Sequence, residues 1–91
     1  MTNADMLPML KIDLGIKTQA FDLRLLSYIA AAREAITREG VTLTDSAEDN
    51  MLVVRYAGWI WRRRDTGSDM PRDLRWALNN RIFSEHMQGG S

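Results

Sequence analysis

The residues with chemistry to offer are few, and they are scattered. His86 is the single histidine, and it sits next to a Met-Gln-Gly-Gly-Ser ending. A catalytic or metal-bound imidazole needs a partner to orient it and a formed pocket around it. Nothing near His86 in sequence supplies either, so a solvated side chain is expected. Glu48 and Asp49 are adjacent acids. Neighbours on a helix point about 100° apart, so they do not face each other across a substrate. They suit a helix start, where negative charge meets the positive end of the dipole. Asp45, Glu48 and Asp49 lack the spacing of a calcium loop. There is no cysteine, which removes thiol catalysis, disulfides and zinc ribbons together. No phosphate-cradling glycine loop, GxSxG or HExxH occurs. No catalytic residue, cofactor or metal is therefore expected, and the chain reads as a non-enzyme.

One stretch stands apart: Trp59-Ile60-Trp61-Arg62-Arg63-Arg64. Aromatics beside arginines stack on bases and reach phosphates. Protein interfaces favour the same residues. On a helix, Trp59 and Trp61 lie about 200° apart, so one core cannot take both. Either Trp61 is core with Trp59 at its rim, or one of the pair faces a protein or nucleic-acid partner.

These residues need a scaffold, and length limits it to one domain over residues 1–91. The 12 basic and 12 acidic side chains cancel, which excludes a generally basic nucleic-acid binder. Their distribution is uneven. Residues 1–50 carry five basic and eight acidic groups, and residues 51–91 carry seven and four. Two halves of opposite sign suit head-to-tail association of copies. No apolar run is long enough to span a membrane, and Met1–Asp5 lacks the basic start of a secretory signal.

Apolar spacing predicts an all-α fold, a small bundle of three main helices behind a short N-terminal one. The first spans about 5–14, with Pro8 in its first turn, a Leu7, Leu10, Leu14 face and Gly15 as its stop. The second spans about 21–39, capped near Thr18 or Gln19, with a Leu25, Ile29, Ala32, Ile36 stripe ended by Gly40. Val41–Thr44 reads as a connecting loop or a short extended arm. The third starts at Asp45 or Ser46, buries Met51, Val54, Gly58 and Trp61, and ends in the three arginines. The fourth opens at Asp69-Met70-Pro71. It carries Leu74, Ala77, Leu78, Ile82 and Glu85, with Trp76 and Phe83 extending its apolar side. Residues 86–91 read as a loose tail.

In order, these pieces resemble the head–tail connector (adaptor) family of tailed bacteriophages. Leu10-Lys11-Ile12-Asp13-Leu14-Gly15 is similar to that family's opening LK-x-x-L helix. Phe21-Asp22 before Leu25-Leu26-x-x-Ile29-x-x-Ala32 is similar to its first long helix. Tyr56 with Arg62-Arg63-Arg64 resembles a later aromatic helix ending in arginine. Met70-Pro71 before Leu74 and Ala77-Leu78-Asn79 resembles its proline-opened last helix. The resemblance covers about residues 7–85 and rests on order and spacing.

The resemblance implies a virion structural protein at the head–tail interface, assembled in the host cytoplasm. It would form a homo-oligomeric ring, a dodecamer on the portal protein. That ring would extend the channel for passing double-stranded DNA and meet a stopper or tail-completion protein. Within the ring, Trp59, Arg62, Arg63 and Arg64 are expected at a subunit or portal contact. Asp45, Glu48 and Asp49 are expected to meet a neighbour's basic side. Arg72, Arg75 and Arg81 are candidates for touching channel DNA without reading sequence. The alternatives are a small helical DNA-binding regulator and a protein-interaction module.

Overall fold

The computed structural model describes the backbone of residues 1–89 and the side chains as far as Met87. Four helices and no strand occur among the described residues: α1 (Asn3–Leu14), α2 (Asp22–Arg38), α3 (Ala47–Thr66) and α4 (Arg72–Gly89). The expected all-α bundle is what forms.

α1 begins two residues earlier than its apolar pattern predicts. Thr2 and Asp5 form a reciprocal capping box, at 3.1 Å and 3.0 Å. That start places Pro8 inside the helix and not in its first turn. The lost N–H leaves the Ala4 carbonyl without its helical donor, a cost that burial of Met6 and Leu10 offsets. The buried line runs through those two residues, while Leu7 and Leu14 flank it half-buried. Gly15 ends the helix at φ 72°, where only glycine is unstrained.

α2 behaves as its spacing predicts. Leu25, Ile29, Ala32 and Ile36 are all fully buried. Its N-terminus differs. Phe21 occupies the cap without a side-chain bond, and Thr18 instead accepts from the Ala20 N–H within the preceding turn. Asp22 in the first turn receives Lys11 Nζ at 2.8 Å, tying α2 to α1.

α3 is the central element and touches the other three helices. Ser46 caps it by accepting from the Asp49 N–H at 3.1 Å. Leu52, Val53, Val54, Tyr56, Ala57 and Gly58 are buried. Gly58 marks the crossing with α1. A methyl group there would lie 3.4 Å from Asp13 Oδ2 and 3.8 Å from Leu10 Cδ1. Met51, expected in the core, is 45% exposed. The core-facing arc turns toward Leu52 and Tyr56, because α2 and α4 cover that side.

α4 packs on α3 through Leu74 and Leu78. Pro71 closes its first turn by accepting from the Arg75 N–H at 3.0 Å. Trp76 and Phe83 do not extend the apolar side toward the core. They point to solvent, because they lie opposite Leu74 and Leu78 on the helix. The helix continues through residues 86–89, where a loose tail is expected, and residues 90–91 of that tail lie outside the described residues. The buried residues form one cluster, within a flat body of 48 × 28 × 17 Å.

Candidate functional site

The tryptophan–arginine stretch lies at the C-terminal end of α3. Trp61 is half-buried and meets Phe21 and Tyr28 edge-on, with centroids 5.3 Å and 6.2 Å away. Trp59 is half-buried on the other side of the helix, edge-on to Tyr56 at 5.4 Å. Its Nε1 donates to the Ser68 carbonyl at 3.2 Å. The two rings do point apart, but neither is left to solvent. One wedges toward α2 and the other seals the α3–α4 turn.

Arginines close over both rings. The Arg63 guanidinium sits 4.6 Å from the Trp59 centroid, and that of Arg64 sits 3.7 Å from Trp61. Arg62 reaches Asp13 at 3.6 Å on the exposed side. The stretch is therefore an internal seam whose outer surface is arginine. Trp59→Ala is expected to cost about 2 kcal/mol of stability, roughly half the value for a fully buried tryptophan. Urea unfolding checks this, and unchanged stability would return Trp59 to a purely external role.

The three acids expected on one surface separate. Asp45 is exposed, contacts the Met1 amino group and accepts from Asn50 Nδ2 at 3.3 Å. Glu48 is exposed. Asp49 is buried, which corrects its placement at a subunit contact. Arg81, a candidate for channel DNA, is its partner. One Nη bonds Asp49 Oδ2 at 3.1 Å, and the other contacts Oδ1. Thr44 donates to Oδ2 from its N–H at 2.7 Å and from its hydroxyl at 2.8 Å. Arg81 also donates to the Thr42 carbonyl at 2.8 Å, while Glu85 accepts the Thr42 N–H at 2.8 Å. The network pins the 41–46 loop between α3 and α4.

Burial alone would raise the Asp49 carboxyl. The Arg81 hydrogen bonds and the Thr44 N–H and hydroxyl outweigh it, and hold the group down to about 2. The bond to Asp49 correspondingly raises Arg81.

The remaining channel candidates do not line up either. Arg75 binds Glu39 at 2.7 Å and anchors α4 to the end of α2. Arg72 is exposed and has no ion pair among the described residues. Among the described residues no cluster of acids, histidine and cysteine could hold a metal ion. No helix among them is long and apolar enough to cross a membrane.

Two surface features lie outside what the sequence pattern predicts. One is an apolar stripe on the outside of α4, formed by Trp76, Phe83 and Met87 at 68%, 66% and 66% exposure. The sequence pattern puts Trp76 and Phe83, seven residues apart, on the apolar side of α4 and Met87 in a loose tail. The other is a groove of about 410 Å³ between α3 and α4, with Glu48, Met51, Leu52 and Ala77 among its lining. Comparison with protein-family models, curated proteins and solved structures finds no match for this chain.

Proposed function

We propose that this chain is a virion structural protein, a subunit of a homo-oligomeric ring joining the portal vertex of a phage head to the tail. The observation that carries the reading is the ordered run of packing motifs, each now on its own helix. Leu10 and Leu14 lie on α1, and Leu25, Ile29 and Ala32 on α2. Tyr56 and Arg62–Arg64 lie on α3, and Leu74 and Leu78 on α4. The helices bury Leu10, Leu25, Ile29, Ala32, Tyr56, Leu74 and Leu78 and leave unlike surfaces outside. A ring requires two different surfaces on each subunit that fit each other. The exposed acids Asp45 and Glu48 offer one, and Arg62, Arg63, Arg64 and Arg72 the other.

This ring would extend the DNA channel without a cofactor. Passing DNA would meet arginines that make phosphate contacts only. Arg63 suits that role better than Arg75 and Arg81, which are paired internally. The same pairing weakens the regulator alternative, since Arg55 and Arg62 are also engaged, with Asp73 and Asp13.

The test is native mass spectrometry and negative-stain imaging of the protein, alone and mixed with the portal protein of the same genome. A ring on the portal is expected. A chain that never joins a portal complex overturns the reading, whereas a free monomer that joins one supports it.

A further inference from the structure

α4 is apolar on two opposite sides. Leu74 and Leu78 fill the side that faces α3, and Trp76, Phe83 and Met87 line the side that faces water. A helix with two apolar sides needs two neighbours, and the described residues supply one. Trp76 and Phe83 each present roughly 100–150 Å² of open surface. With Met87 the stripe reaches the ~300–600 Å² size of the largest, often functional, patches on monomers.

We propose that the outer stripe of α4 docks into the α3–α4 groove of a second copy of this chain, head to tail. Charge selects this occupant. Arg72 stands at the start of the stripe, and Glu48 stands on the groove. Both are exposed, and neither has an ion pair among the described residues. Spacing agrees with charge. One helical turn separates Arg72 from Trp76, and one turn separates Glu48 from Met51. With α4 seated parallel to the second copy's α3, Arg72 meets Glu48 while Trp76 covers Met51, the exposed apolar residue of the groove.

The seating is heterologous. Ala77, which lines the groove, lies about 100° around α4 from Trp76, so each copy uses one surface and keeps the other open. Subunits can then continue until a ring closes. Across both partners the contact covers on the order of 1,000 Å², the lower range for a specific interface. An antiparallel α4–α4 pair would stack Trp76 on Phe83, but would leave Glu48 and Met51 unused.

This contact deepens the connector reading and rests on it for ring closure. Its test is separate. The chain has no cysteine, so introduced ones are unique. Glu48→Cys and Arg72→Cys are purified separately, mixed at high concentration and oxidised. A disulfide-linked dimer forms in the mixture and not in either preparation alone. No link in the mixture overturns the proposal. So does a link between Arg72→Cys and Met87→Cys, which marks the antiparallel pair.

In sedimentation, Arg72→Glu and Glu48→Arg each weaken self-association about tenfold or more, and the double variant R72E/E48R recovers most of it. Failure to recover removes the charge pairing. A linked dimer that never joins a portal overturns the connector and leaves the contact standing. Portal rings without the link do the reverse.

Discussion

Arg81→Ala lowers the unfolding free energy by ~3–4 kcal/mol near neutral pH, a large share of the ~5–14 kcal/mol expected for a chain this size. The variant leaves the Asp49 carboxylate buried with Thr44 as its remaining partner. A buried charge without its counter-ion loses more than a surface pair ever contributes. Urea unfolding of both proteins measures the difference. A loss under about 1 kcal/mol would mean that the pair is solvated like a surface one.

Acid sharpens the same test. Asp49 titrates at about 2 in the fold, against an ordinary value of 3.8. A depressed carboxylate stabilises the folded state fully above its unfolded value, and that contribution drains away as pH falls from 3.8 toward 2. The linked amount is ~2 kcal/mol. Without Arg81, burial pushes the carboxyl upward, so the acid transition of Arg81→Ala moves to higher pH. An unmoved transition would assign the acid response to other groups.

Ile29→Ala costs ~3–4 kcal/mol, and Leu23→Ala, six residues away on the same helix, costs less than about 0.5 kcal/mol. Both remove an aliphatic side chain from α2. Ile29 is fully enclosed, so its loss leaves a cavity lined by the core. Leu23 is 83% exposed and leaves none. Thermal and urea unfolding of the two variants compare them directly. Equal losses would mean that helix propensity, not burial, governs α2.

The contrast shows where the sequence is legible. The line Leu25, Ile29, Ala32, Ile36 was readable because a period of three and four can bury only one face of a helix. Gly15 and Gly40 were readable stops, and both adopt positive φ. The Thr2 and Asp5 box was also visible as a local pattern, yet the apolar residues alone put the helix start too late. Trp76 and Phe83 were misplaced for a different reason. Apolar character says that a residue prefers cover, but not which side of a two-faced helix the chain itself can cover.

The site followed the same division. Helical spacing points Trp59 and Trp61 apart, and they do point apart, but their cover comes from Phe21, Tyr28, Tyr56 and Ser68, three of which lie on other elements. Sequence spacing puts Asp49 and Arg81 on two different surfaces, because 32 residues separate them and no local pattern links them.

The sequence by itself determined the four helices, the Gly15 and Gly40 stops, the α2 core line and the lack of any recognisable catalytic pattern. Each depends on neighbours within a turn or two, where backbone geometry sets who meets whom. Only the tertiary structure decided that Asp49 is a buried anchor, that the arginines lid the tryptophans, and that α4 keeps an open apolar side. Those outcomes depend on which helix faces which, and that is settled by closing the whole core at once.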